Sequence, residues 1–97
     1  MWMLIVDDEA FAREAVIESV DWGQYGLEVK GVSSAAEALA FMCVQEVDIL
    51  MTDIKMPQKD GLELIEEVHG KGLKPGIIVL SSFNEFDLVR NAMQLGA

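Results

Sequence analysis

Residues 48–61 read DILMTDIKMPQKDG. The apolar run Ile49-Leu50-Met51 stops at Thr52-Asp53, and a Pro57 and an Asp60-Gly61 pair follow shortly after. Such a run, short and apolar on both sides of its alternation, predicts a strand covered on both faces. A carboxylate at the tip of a buried strand is costly unless it is hydrogen-bonded, paired or bound to a cation. Asp53 therefore asks for partners elsewhere in the chain.

The chain supplies further units of the same kind. MWMLIV at 1–6 is a second continuous apolar run, cut off by Asp7-Asp8-Glu9. Glu9 to Val20 carries Phe11, Ala15, Val16 and Val20 at helical spacing, with Glu14 and Glu18 outward. Asp21 to Gly26 is a loop in which Trp22 and Tyr25 are expected to pack over the core, and Leu27 to Val32 is a weaker strand. Ser33 or Ser34 can cap a helix to about Val44, built on Ala35, Ala36, Ala38, Leu39, Ala40 and Met42. Gly61 to His69 predicts a helix with Leu62, Ile65 and Val68 inward, ended by Gly70 and Gly72. Ile77 to Leu80 is a fourth strand, and Asn84 can cap a last helix bearing Phe86, Val89 and Met93. Strand and helix alternate four times, which predicts an α/β fold with a parallel sheet, helices on both faces and right-handed crossovers.

In such sheets ligands gather beyond the carboxyl ends of the strands. There the sequence places Asp7 and Asp8 after the first strand, Asp53 after the third and Ser81 after the fourth. With the first and third strands adjacent, three carboxylates converge and repel one another until a cation offsets them. Hard oxygen ligands suit Mg²⁺ or Mn²⁺ better than zinc. A carboxylate beside such a cation can act as nucleophile toward phosphorus and form an acyl phosphate. The Ser81 hydroxyl can donate a hydrogen bond to the new phosphoryl group.

Composition bounds the alternatives. The 97 residues are 52% apolar and 25% charged, enough for one small domain. Seven basic against 17 acidic residues give a net charge of −10. That argues against direct nucleic-acid binding and against an anionic membrane surface. The single Cys43 excludes an internal disulfide, fits a reducing compartment, and reads as an inert buried or half-buried thiol. MWMLIV lacks a basic flank and is too short for a signal or a membrane span, so a cytoplasmic location is expected. His69 reads as a surface residue at a helix end, and Lys59 and Asp60 as solvated loop charges. No glycine pattern for cradling phosphates occurs.

At these residues the chain resembles the receiver domain of two-component response regulators. The matching pieces are LIVDDE at 4–9, DILMTDIKMPQKDG at 48–61, VLSS at 79–82 and AMQLGA at 92–97. The Asp21-Trp22 loop and the serine pair at 81–82 are most similar to receivers joined to AraC-type DNA-binding domains. The resemblance implies a flavodoxin-like (CheY-like) doubly wound sheet of order 2-1-3-4. It implies Asp53 as phosphoacceptor, a Mg²⁺ or Mn²⁺ site made by Asp7, Asp8, Asp53 and the backbone carbonyl of Lys55, with Asp8 favoured over Asp7 as direct ligand, and Ser81 as the hydroxyl switch. Pro57 and Gly61 would shape the loop between them. The partner implied is a sensor histidine kinase, the consequence a switched surface that controls transcription, and the domain an acceptor, not a turnover enzyme.

Receivers continue past LGA into a fifth strand, with a phosphate-contacting lysine near its end, and a fifth helix. Residues 1–97 therefore read as a single receiver domain lacking both, with the fourth strand as an apolar edge open to self-association. Two rival readings follow. One is a phosphorylation-independent interaction module or inactive fragment. The other is a phosphatase-like enzyme, disfavoured because Lys55 stands where a second acidic residue would be needed.

Overall fold

The computed structural model describes residues 1–54, 56 and 58–80. The expected last helix from Asn84, together with Lys55, Pro57, Ser81 and Ser82, lies outside the described residues. In chain order the elements are β1 (Trp2–Val6), α1 (Ala10–Ser19), a 3₁₀ turn (Trp22–Tyr25), β2 (Glu28–Val32), α2 (Ala35–Val44), β3 (Ile49–Asp53), α3 (Gly61–Gly70) and β4 (Gly76–Leu80). The strands form one parallel sheet in the order β2-β1-β3-β4. This is the expected doubly wound order.

The two inner strands explain their own composition. β1 is hydrogen-bonded on both sides and covered on both faces, so Met3, Leu4, Ile5 and Val6 are all buried. Alternate side chains feed different cores, because successive residues of a strand face opposite ways. Leu4, Val6 and Leu50 meet α2 and α3 through Ala35, Ala38, Met42, Leu64 and Val68. Met3, Ile5 and Met51 meet Val16 of α1 together with Trp22 and Leu27. Each such Val, Leu or Ile contributes about 1.5–3 kcal/mol by leaving water.

The helices bury narrower stripes than the sequence pattern suggests. On α1, Val16 is buried and Ile17 and Val20 pack beside it, whereas Phe11 is 87% exposed and Ala15 is exposed. Phe11 and Ala15 share a face one turn apart, and that face points to solvent. On α3 the buried residues are Gly61, Leu64 and Val68; Ile65 is half-buried and Leu62 is 55% exposed. On α2, Ala35, Ala38 and Met42 face inward, and Ala36, Ala40 and Cys43 are exposed. The Cys43 thiol is thus exposed, contrary to expectation, because the inward stripe passes through Ala38 and Met42.

Loop chemistry fixes the helix starts. Ser34 caps α2 by accepting from the Glu37 N–H at 3.1 Å, and Glu37 reaches back to the Ser33 N–H and hydroxyl, each at 3.0 Å. Those two donors hold the Glu37 carboxyl below the usual carboxylate range. Asp60 caps α3 in a reciprocal box with Glu63, and Lys59 forms an ion pair with Glu67. Neither Lys59 nor Asp60 is the free loop charge that the sequence suggested. Trp22 is buried and its Nε1–H donates to the carbonyls of Val16 (3.3 Å) and Ile17 (3.1 Å), while Tyr25 stays exposed. None of the helices among the described residues is long and apolar enough to cross a membrane.

Candidate functional site

Strand register places the carboxylates. Val6 of β1 pairs with Thr52 of β3, so the residues that follow, Asp7 and Asp53, emerge side by side at the carboxyl edge of the sheet. Asp8 enters from the turn into α1. One carboxylate oxygen from each of Asp7, Asp8 and Asp53 lies within 4.8 Å of the others. Asp7 and Asp53 are half-buried and Asp8 is exposed. The convergence expected from the sequence is therefore present for all three aspartates.

Partial burial pushes the Asp7 carboxyl above its ordinary value. The Glu9 N–H, 2.9 Å from Oδ1, opposes that rise, and the charges of Asp53, Asp8 and Glu9 add to it. Such a corner has an electrostatic deficit that one divalent cation would relieve. Its donors are hard carboxylate oxygens with open solvent on the Asp8 side, which fits Mg²⁺ or Mn²⁺, ions that keep several waters.

Three residues frame the corner without contributing a carboxylate. Arg13 on α1 donates from Nη1 to the backbone carbonyl of Asp7 at 2.8 Å. Its stem lies over Gly31 of β2, where an added Cβ would come within 3.0 Å of Arg13 Cδ and of Ile17 Cδ1. Thr52, fully buried, donates its hydroxyl to the backbone carbonyl of Asp53 at 3.0 Å. Gly61, the first residue of α3, packs against the same carbonyl, and its N–H donates to Ile54 O at 2.9 Å. Gly61 was legible as a loop-shaping residue. Arg13 and Thr52 were not singled out, although a lone hydroxyl ending a buried apolar strand was a visible signal for Thr52. Lys55 and Ser81 lie outside the described residues, so their expected roles stay expectations.

Comparison with known proteins agrees with this geometry. The response regulator receiver domain family matches residues 3–97. The chain is 34% identical over 95 residues to the uncharacterized transcriptional regulatory protein YesN of Bacillus subtilis, covering 97% of this chain and 26% of that protein. It is 29% identical over 93 residues to the transcriptional regulatory protein HptR of Staphylococcus aureus, covering 95% and 36% respectively. The chain thus spans about a quarter to a third of these relatives' length. Among solved structures, the REC domain of AraT, a response regulator from Geobacillus stearothermophilus, superposes with a TM-score of 0.77 at 36% identity. That superposition covers 97% of this chain and 74% of the other. A two-component transcriptional regulator AraC from Clostridium phytofermentans shares the fold at TM-score 0.78 and 24% identity, over 93% of this chain and 73% of that one. With a family match running almost from end to end, over a sheet of order β2-β1-β3-β4 and an aspartate corner at its carboxyl edge, the chain belongs to the response regulator receiver domains of two-component signalling.

Proposed function

We propose that Asp53 is the phosphoacceptor of this receiver. The observation that carries the proposal is the close approach of carboxylate oxygens from Asp7, Asp8 and Asp53 on the edge where parallel sheets bind ligands. One Asp53 oxygen attacks phosphorus while the bond from phosphorus to the donor breaks and the donor leaves with the electron pair. With a phosphohistidine of a sensor kinase as donor, the P–N bond breaks and the imidazole takes up a proton. Asp7, Asp8 and Asp53, with the Lys55 carbonyl, would hold Mg²⁺ or Mn²⁺; when bound, the ion offsets negative charge on the carboxylates and on the transferring phosphoryl oxygens. Ser81 would donate its hydroxyl to the phosphoryl group. The domain acts as an acceptor whose phosphorylation biases a two-state surface, not as an enzyme that turns over substrate.

The names of YesN and HptR support control of transcription as the output, and a cytoplasmic location belongs to the same proposal. Self-association through β4 belongs to the same proposal. Among the described residues β4 is an outer strand, and Ile77 to Leu80 are only half-buried. A monodisperse monomer at tens of micromolar in sedimentation would overturn it.

The central test is intact mass after incubation with Mg²⁺ and a small-molecule acyl phosphate donor. One added phosphoryl group is expected, absent in Asp53→Asn and absent without metal. A folded chain that takes up no phosphoryl group would favour the rival reading, an interaction module that works without phosphorylation.

A further inference from the structure

Among the described residues no cation pairs with the carboxylates of the acidic corner. Arg13 reaches the corner, yet its guanidinium donates to the Asp7 backbone carbonyl. Thr52, on the neighbouring strand, treats Asp53 in the same way: its hydroxyl meets the peptide carbonyl and leaves the carboxylate alone. Both contacts are constrained from behind. The Arg13 stem is seated over Gly31, where even a methyl group would press on Cγ and Cδ at 3.2 and 3.0 Å. The Thr52 side chain is fully buried.

The consequence is a division of labour. Two carboxylates of the corner are fixed through their main chain, so their oxygens can converge although they repel one another. Had Arg13 paired with a carboxylate, it would have offset the repulsion and competed with a cation for the same oxygens. Donation to peptide carbonyls fixes position without occupying carboxylate lone pairs, of which the Glu9 N–H takes one on Asp7 Oδ1.

We propose that Arg13 and Thr52 are positioning residues for the aspartate corner: by gripping the peptide carbonyls of Asp7 and Asp53 they set the spacing at which the corner takes a divalent cation. This rests on the reading of the corner as a cation and phosphoryl site, and the test separates the two.

The experiment measures Mg²⁺ affinity by titration calorimetry, and the backbone carbonyl ¹³C shifts of Asp7 and Asp53 in metal-free protein. Wild type is compared with Arg13→Met, Thr52→Val and Thr52→Ser. Methionine keeps the apolar stem, valine keeps the volume, and serine keeps the hydroxyl. Arg13→Met and Thr52→Val are each expected to weaken Mg²⁺ binding about tenfold and to move the carbonyl shift of the aspartate they grip. Thr52→Ser is expected to recover most of the affinity. The sign decides for Arg13. If the guanidinium acted only as a nearby positive charge, removing it would tighten Mg²⁺ binding, and that result would overturn the inference. Folded variants that bind Mg²⁺ as wild type does, with unmoved carbonyl shifts, would overturn it too. A wild-type chain that binds no Mg²⁺ would instead remove the underlying reading of the site, and this inference with it.

Discussion

The Cα of Gly61 sits so close to the backbone carbonyl of Asp53 that an added Cβ would lie 2.2 Å from the oxygen. The start of α3 is thereby pressed onto the end of β3. Gly61 serves close approach here, which is one of glycine's two uses. Gly61→Ala would gain helix propensity of up to about 1 kcal/mol. The overlap is with backbone atoms, which cannot swing aside, so we expect a net loss of about 1–3 kcal/mol, as for overpacking elsewhere. Urea unfolding checks this: a lower midpoint with an unchanged slope is expected, and phosphoryl uptake at Asp53 should fall with it.

The same helix depends on Asp60. Its carboxylate accepts from the Glu63 N–H at 2.9 Å, and Glu63 Oε1 accepts from the Asp60 N–H at 3.2 Å. Two donors at the helix start are satisfied reciprocally. Asp60→Ala is expected to cost about 1 kcal/mol, read as a shift in the denaturation midpoint. Asp60→Asn should retain most of the cap. An alanine variant as stable as wild type would show that the box contributes nothing measurable.

These two residues also show what the sequence could and could not convey. Asp60 and Glu63 stand at capping-box spacing just before an apolar stretch, so the cap was legible in principle but was read as loop charge. Gly61 was legible as a turn former, but its contact with Asp53 depends on where the returning chain crosses the sheet. The sheet itself was plain, because β1 and β3 are buried on both faces and have no polar alternation to confuse. Helix faces were harder. Phe11, Ala15, Leu62 and Cys43 are apolar or weakly polar yet exposed, and composition alone does not separate an apolar outer face from an inner one. The aspartate corner was legible because topology alone brings strand ends together. The Thr52 hydroxyl at the end of an apolar strand was visible in the sequence, but that it and Arg13 act on backbone carbonyls was not.

Trp22 offers a test of how the turn after α1 is fixed. Its indole N–H bridges the carbonyls of Val16 and Ile17 near the end of α1, while its ring fills the core between Val16 and Leu27. Trp22→Phe keeps an aromatic ring and removes the donor, and a loss of about 1–3 kcal/mol is expected from carbonyls left without that partner. Trp22→Ala removes the ring as well and should cost about 3–5 kcal/mol. Equal costs for the two variants would show that the hydrogen bond, not the ring, holds the turn.

The aspartate corner sets a pH dependence whose sign follows from Asp7. Its folded carboxyl is raised by burial first, and the charges of Asp53, Asp8 and Glu9 add to that. In metal-free protein the native state therefore keeps this proton to higher pH than the unfolded chain does. Over that interval Asp7 makes the folded state bind more protons, so its contribution to stability falls as pH rises through the ordinary carboxylate range to the raised folded value. Above it the penalty is present in full. Asp7→Asn abolishes this contribution, so in chelator the variant should be more stable than wild type at neutral pH, with a flatter profile. A divalent cation reverses the order: at a Mg²⁺ concentration a hundredfold above Kd, wild type should gain about 2.7 kcal/mol and the variant much less. Thermal unfolding across about pH 4 to 8, with chelator and with Mg²⁺, checks both arms. An Asp7→Asn profile in chelator that parallels wild type through that window, with no Mg²⁺ response in either, would mean that the folded state carries no penalty at Asp7.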